Sequence, residues 1–340
     1  MTEWSRRALL TSGGSFAALG GYASARADEA EPSNKLYFDD LQRFEMHISA
    51  MPPQEAVAAY LATPSAGLTA YMRTYRITPD AYLQRLAERP RFYRSIVGLR
   101  ERLRPYETAI TQAMVRVRAF LPGTPEVPVF FLVGTLGPGA TPREVRRGAD
   151  ATSLGILMPA EHLAMTVDTD MSEFPEGRAG RANVGDVTGF VSHEYGHVAQ
   201  VHLQGLARYR ELYTIPGNAT NLAMAIREGG ADYISWLATG QRRERHRYFD
   251  AHARTLGREF VAIAHLPAAD FRGWFSGVDS NNPGRPAQIG YAVGFDICRH
   301  FMDAAADRSA ALLAIASASE AKDFLAIASA YLAEQGSVKS

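Results

Sequence analysis

Apolar residues recur at helical spacing between positions 36 and 120 of the chain. Leu41, Phe44 and Ile48 are three and four residues apart, which places them on one face of a helix. Prolines at positions 52, 53, 64, 79, 90 and 105 interrupt the pattern and divide it into about four or five predicted helices. Thr78, just before Pro79, is a predicted N-cap, because its hydroxyl can accept one of the first backbone N–H groups of the helix.

The pattern changes near position 121, beyond which β-branched and aromatic residues are concentrated. Val127–Val133 forms such a run and predicts a strand. Leu154–Met158 predicts a second strand, and the glycine- and proline-rich residues 134–142 between them predict a loop. The chain therefore divides into an N-terminal helical region, residues 28–121, and a region that contains a small sheet, residues 122–340.

Helical periodicity returns in the second half of the chain. One helix is predicted to begin at Asp186, whose carboxylate can cap it, and to end near Leu203. Further helices are predicted over residues 220–237, 289–305 and 310–335. The fold class predicted from these elements is α+β, predominantly helical, with a small sheet packed on the helix that begins at Asp186.

The N-terminal residues have the pattern of an export signal. Arg6 and Arg7 precede an apolar, glycine-rich run at 9–22, and residues 25–27 read Ala-Arg-Ala, which is a typical cleavage site. Paired arginines are typical of twin-arginine export, and an ordinary secretory signal is the alternative. The apolar run is too short and too rich in glycine to span a membrane stably. We therefore expect residues 1–27 to be removed and the mature chain to be periplasmic or secreted, without a stable membrane span.

The composition is that of an ordinary globular protein and excludes several functional classes. The 340 residues include 36 basic and 36 acidic ones, so the formal net charge is zero and we expect no nucleic-acid partner. Cys298 is the only cysteine, which excludes an intramolecular disulfide and a cysteine-rich zinc site. Its helical surroundings predict a buried thiol without a chemical role.

The residues from 193 to 197 read His-Glu-Tyr-Gly-His inside an apolar segment. Residues four apart lie on the same face of a helix, so His193 and His197 can place two imidazole nitrogens on one metal ion. Glu194 lies beside them, where a general base can act on water activated by the metal. The spacing predicts a metal-dependent hydrolase, for which a third ligand is still needed.

Two arrangements would supply the third ligand, and one of them is excluded. In proteins with the longer motif H-E-x-x-H-x-x-G-x-x-H, a glycine would occupy position 200 and a histidine position 203. This chain has Gln200 and Leu203 there, and the nearby His202 points to a different face of the helix. His202 is therefore predicted to be an ordinary surface or core histidine.

The second arrangement places a glutamate on a later helix. Glu228 follows His197 by about 30 residues, and Asp232 lies one helical turn beyond it on the same face. Glu228 is the candidate third ligand, and Asp232 can accept the remaining N–H of a ligand histidine; the alternative is that both are exposed acidic residues. Gly229 and Gly230 are unfavourable inside a helix, so they predict close packing of this helix against the motif helix.

The two motifs together, His-Glu-x-x-His at 193–197 and Glu-Gly-x-Ala-Asp at 228–232, resemble those of the gluzincin class of zinc metallopeptidases. More narrowly, they are similar to bacterial predicted zinc-protease families of unknown specificity. Residues 291–294 resemble the Tyr-x-x-Gly element that these families carry on a later helix. The resemblance covers roughly residues 127–305 and implies a zincin-like metallopeptidase core with one Zn²⁺ ion.

The resemblance also implies a role for each matching residue. His193, His197 and Glu228 would be the zinc ligands, and Glu194 would be the catalytic base. Asp232 would accept a hydrogen bond from a ligand histidine and hold its ring in place.

The chemistry also needs a donor for the developing oxyanion and a place for the substrate. Tyr291 is the candidate donor, and the alternative is that it is a core aromatic residue. His265 and His300 are weaker candidates. Leu154–Met158, which precedes the motif helix, is predicted to be the edge strand along which a peptide or protein substrate adds as a further strand.

The expected function is zinc-dependent peptide-bond hydrolysis with Glu194 as general base. Two alternatives remain: zinc-dependent hydrolysis of a non-peptide amide in the cell envelope, and an inactive metal-binding scaffold there. The intact Glu194 argues against the scaffold, because a structural metal site needs no base. The charged run Arg242–Arg247 is predicted to be a solvated surface without a part in this chemistry.

Overall fold

The computed structural model describes residues 35–137, 139–147, 151–164, 173–174, 184–214, 219–268, 273–275, 282 and 284–337. These described residues form one compact unit. The expected export signal, residues 1–27, lies outside the described residues, and the division of the chain near position 121 stays a prediction.

Helices make up most of the described chain. The helices before the main strands are α1 (Asp39–Ala50), α2 (Pro53–Ala62), α3 (Ala66–Tyr75), α4 (Pro79–Glu88), α5 (Pro90–Ser95), α6 (Leu99–Leu103) and α7 (Glu107–Phe120). The helices after them are α8 (Glu161–Ala164), α9 (Val187–Gln204), α10 (Leu206–Thr214), α11 (Asn221–Thr239), α12 (Glu244–Ile263), α13 (Ile289–Ala304), α14 (Arg308–Ser317) and α15 (Ala321–Ser337). With the small sheet, they confirm the predicted α+β, predominantly helical class. None of the described helices has both the length and the apolar character needed to cross a membrane.

Side-chain caps fix the starts of several helices. The hydroxyl of Thr78 accepts the N–H of Ala81 at 3.3 Å, which confirms its predicted role at the start of α4. Thr220 caps α11 in the same way, accepting the N–H of Ala223 at 3.2 Å. Asp186 directly precedes α9, as predicted, but its side chain makes no capping bond. A 3-10 turn ends at Asp186 and already holds its backbone in a helical conformation.

The sheet has four strands in the order β1–β2–β4–β3, namely β1 (Leu36–Tyr37), β2 (Val129–Leu132), β4 (Ala151–Pro159) and β3 (Thr141–Arg147). Strands β1 and β4 run parallel to β2, and β3 runs antiparallel to β4. Strand β4 is therefore an interior strand, and the prediction that Leu154–Met158 is the edge strand is wrong. The strand at that edge of the sheet is β3.

The sequence of β3, Thr-Pro-Arg-Glu-Val-Arg-Arg, lacks the apolar alternation of an ordinary strand. A proline and several charged residues are tolerated there because an edge strand has a neighbour on one side only. Its register pairs Thr141 with Leu157 and Arg143 with Gly155. Pairing with β4, rather than its own composition, makes this segment a strand.

Buried tyrosines from the N-terminal helices bind the end of β2. The hydroxyls of Tyr60 and Tyr82 each donate to the carbonyl of Val133 at 2.9 Å, and that of Tyr93 donates to the carbonyl of Gly134 at 3.0 Å. These bonds satisfy backbone carbonyls that leave the sheet inside the core. The N-terminal helices thereby hold the segment that leads from β2 to β3.

Glu161 at the start of α8 binds the same segment. Its fully buried carboxyl group accepts the N–H groups of Gly134 at 2.9 Å and Leu136 at 3.4 Å. Burial raises the pKa of this carboxyl, and the two N–H groups partly oppose that rise. Buried polar groups thus bind both the carbonyl and the N–H groups of the segment before β3.

Close glycine contacts bring α11 against its neighbours. A Cβ atom on Gly229 would overlap the carbonyl carbon of Gly294, so this glycine faces α13, and the prediction that it packs against the motif helix α9 is wrong. Gly230 packs mainly against α14, where a Cβ atom would lie 2.9 Å from a side-chain carbon. The close contact with α9 is made by Gly196, where a Cβ atom would lie 3.2 Å from the Cα of Ala231.

Replacing Gly294 with alanine should lower the free energy of unfolding by about 1–3 kcal/mol or more, because the new Cβ atom would overlap the carbonyl group of Ala225 in α11. The matched control is Gly284→Ala, since nothing lies within 4 Å of a Cβ atom added there. Urea unfolding of both variants measures the difference. Equal stabilities would contradict the close packing of α13 on α11.

Candidate metal centre

Helices α9 and α11 bring three potential ligand atoms together. The Nε2 atoms of His193 and His197 are 3.1 Å apart, and Oε2 of Glu228 lies 3.5 Å from the first and 3.2 Å from the second. All three side chains are buried. Atoms that bind one tetrahedral ion at about 2.0–2.1 Å are themselves about 3.3 Å apart. The group could therefore hold one metal ion.

The outer nitrogen of each imidazole has its own hydrogen-bond partner. Nδ1 of His193 lies 2.8 Å from Oδ1 of Asp232, and Nδ1 of His197 lies 2.8 Å from Oε1 of Gln200. Gln200 in turn donates to the carbonyl of Arg227 at 2.9 Å, which orients its amide so that the oxygen faces the ring. Both Nδ1 atoms therefore carry the proton in the neutral rings, and both Nε2 atoms carry a lone pair.

The three atoms fit a cation because all of them are hydrogen-bond acceptors. Two Nε2 lone pairs and the carboxylate oxygen of Glu228 lie within 3.5 Å of one another. Such an arrangement is repulsive unless a proton or a metal ion lies between the acceptors. Metal binding and the two bonds to Nδ1 thus require the same tautomers.

Asp232 is the central polar residue behind the ligands. Besides His193, its carboxylate accepts from Nη2 and Nε of Arg245 at 2.7 and 3.2 Å and from Nε2 of His246 at 3.0 Å. Arg245 and His246 are both buried, so the prediction of a solvated surface over Arg242–Arg247 is wrong for these two. They lie in the first turn of α12, and their side chains reach Asp232 on α11 and supply the counter-charge that a buried carboxylate needs.

Opposing effects set the charge states of the buried groups. Burial by itself lowers the pKa of His193, but Asp232, Glu228 and Glu194 outweigh it and raise the pKa to about 9. Burial raises the pKa of Glu228, but His197 and His193 hold it well below its usual value. The surroundings therefore favour positive charge on the His193 ring, and a metal ion would replace the proton at its Nε2.

Glu194 and Tyr291 lie at the same cleft as the three ligands. The ring of Tyr291 stacks on that of His193 with 5.9 Å between centroids, and the guanidinium of Arg245 lies 4.5 Å from the centroid of the tyrosine ring. Burial and then the charge of Glu228 raise the pKa of Tyr291 well above its usual value, so its hydroxyl stays protonated and can donate.

The cleft has a volume of about 460 Å³ and opens between β3 and helix α10. Its described lining consists of Thr74, Ala140, Thr141, Pro142, Arg143, His193, Glu194, His197, Val201, Leu206, Tyr209, Arg210, Glu228 and Tyr291. The ligands and Glu194 come from the helices, and one wall comes from the edge strand.

The remaining candidate histidines lie outside the cleft. His202 is exposed and lies against Gly123, which confirms that it is an ordinary histidine. His265 is exposed, and His300 lies 3.7 Å from Asp296. Neither is therefore placed to take part in chemistry at the three ligands.

Sequence reasoning missed three residues that hold the site together. Gln200 excludes the longer histidine motif, and its position three residues after His197 also places it within reach of that ring. Nothing in the sequence near Arg245 and His246 indicates their role at the site, because their partner Asp232 lies on another helix. Helical spacing alone could have identified Gln200.

The Glu228→Gln variant should lose most of its bound metal, because an amide oxygen is a weaker, uncharged ligand. After loading with Zn²⁺ and dialysis, the wild-type chain should retain about one ion. Metal analysis by atomic emission gives the ratio. His202→Ala is the control and should bind as the wild type does; full retention of metal by Glu228→Gln would contradict the ligand set.

The Asp232→Asn variant should bind Zn²⁺ about 10–100-fold more weakly, because the partner that orients His193 is lost while all three ligands remain. Competition with a chromophoric chelator measures the affinity, and circular dichroism shows whether the variant is folded. Asp250→Asn removes an exposed partner of Arg242 and should leave the affinity unchanged. Equal affinities of the two variants would exclude this role for Asp232.

No protein-family model matches the chain, and no curated protein or solved structure is significantly similar to it. The His193/His197/Glu228 group is thus the observation from which a function is inferred.

Proposed function

We propose that this protein is a zinc-dependent metallopeptidase of the gluzincin type, with a zincin-like core. The observation that carries the proposal is the convergence of His193, His197 and Glu228 beside Glu194 in one open cleft. A purely structural metal site would need neither the carboxylate of Glu194 nor an opening to solvent.

The donor set supports zinc as the ion. Two imidazoles and one carboxylate are a common set of three protein ligands for catalytic zinc, which keeps a further position for water or substrate. When bound there, zinc would act as a Lewis acid and lower the pKa of water to about 7.

Four polar residues around the metal ligands have a role in this proposal. Glu194 accepts the proton of the attacking water and delivers it to the amine nitrogen of the leaving peptide. Tyr291 donates its hydroxyl proton in a hydrogen bond to the oxyanion that forms from the scissile carbonyl. Asp232 and Gln200 hold the two histidine rings in the orientation that ligation requires.

Strand β3 supports a peptide as the substrate. It is bonded to β4 on one side and lies at the edge of the sheet among the described residues. Its residues Thr141–Arg143 line the cleft, so an extended peptide added to this edge would pass beside Glu194. The expected export signal would place this activity in the periplasm or outside the cell, which fractionation of expressing cells tests.

Glu194→Gln should retain its zinc and lose hydrolysis about 10²–10⁴-fold, because the general base is removed while the ligands remain. The zinc-loaded wild type and variant are incubated with a diverse peptide mixture, and new termini are counted by mass spectrometry.

Glu211→Gln, which alters an exposed carboxylate on α10, is the control for this experiment. Undiminished hydrolysis by Glu194→Gln would overturn the proposed role of Glu194. A wild type that holds zinc but cleaves no peptide would instead favour a metal-binding scaffold.

A further inference from the structure

Beyond the reaction type, we infer that the cleft selects peptides that carry a carboxylate group, and that Arg143 binds this group. The inference rests on the proposed peptidase function and concerns its substrate class.

Arg143 lies in the cleft but outside the metal-binding group. Its side chain is half-buried and shares the lining of the cleft with Glu194 and Tyr291. One guanidinium nitrogen donates to the carbonyl of Pro142 at 2.9 Å, and the guanidinium carbon lies 5.9 Å from the ring centroid of Tyr75. These contacts hold the side chain at the wall, and they engage only part of its five N–H donors.

Arg143 has no carboxylate partner among the described residues, in contrast to the other arginines at the site. Arg210 on the opposite wall bonds Glu144 at 2.6 Å, and Arg245 behind the ligands bonds Asp232 at 2.7 Å. Burial removes part of the hydration of a guanidinium, so a carboxylate close to Arg143 would stabilise its charge. A bound carboxylate would supply the missing charge through a bidentate pair.

The carboxylates already in the cleft do not meet this need. Glu228 is turned toward the two histidines, and Glu194 is required as the base. Neither forms an ion pair with Arg143. Among the described residues no carboxylate is free to pair with Arg143, and we assign this partner to the substrate, which adds along the strand that carries Arg143.

An acidic side chain and a C-terminal carboxylate share this chemistry, and matched peptides separate them. The two peptides of the first pair share one central sequence and carry either Asp or Asn beside it. The two peptides of the second pair have either a free or an amidated C-terminus. Fluorescence anisotropy measures binding of each peptide to the full chain carrying Glu194→Gln, loaded with zinc, so that no peptide is consumed. Carboxylate peptides should bind about 10–100-fold more tightly than their neutral partners in at least one pair.

Adding Arg143→Gln to this chain should abolish the preference. Arg146→Gln, on the exposed part of the same strand, is the matched control and should retain it. A preference confined to Asp over Asn identifies an acidic side chain, and one confined to the free C-terminus identifies the terminal carboxylate; either supports the inference.

Hydrolysis by the zinc-loaded wild type separates this inference from the proposed function. If peptides are cleaved but bind equally well with and without the carboxylate, the role of Arg143 is overturned and the proposed peptidase function stands. A preference that persists in Arg143→Gln would overturn that role as well. Carboxylate binding through Arg143 without cleavage of any peptide would support the site and contradict the peptidase function.

Discussion

The buried carboxylate of Asp232 is the interaction on which the rest of the site depends. It lies on α11 and binds His193 of α9 and both Arg245 and His246 of α12, so one side chain connects three helices. Isolated burial of such a charge would cost several kcal/mol, and the three donors offset this. Because a carboxylate only accepts, it also fixes the proton on Nδ1 of His193 and leaves Nε2 for a metal.

Contacts outside the cleft hold its two walls in place. Buried tyrosines and Glu161 fix the segment before β3, which positions the edge strand. On the other wall, Arg227 donates to the carbonyl of Tyr209 at 2.8 Å and lies 4.2 Å from the centroid of its ring, which holds α10 on α11. Arg210 and Glu144 connect the two walls. Buried polar groups thus hold each wall of the cleft, and an exposed ion pair joins the two walls.

Sequence spacing predicted the helices and the grouping of His193, His197, Glu228 and Asp232, since these depend on helical periodicity and on one pairing of helices. It could not predict which helix covers Gly229, because periodicity defines a face but not its neighbour. Strand β3 was missed because β4, and not local composition, makes it a strand. The burial of Arg245 was missed because a charged run has the same composition whether or not a carboxylate lies opposite.

The charged residues around the metal ligands differ from the one that would select the substrate. Arg245 offsets the charge of Asp232, and Glu228 with Glu194 would offset a divalent ion, so the metal-binding helices are close to neutral when loaded. Arg210 is paired with Glu144. Among the described lining, the excess positive charge lies on Arg143, whose bonds go to its own strand and to α3 rather than to α9 or α11. The identity of residue 143 can therefore alter which ligands bind without altering the geometry of the metal ligands.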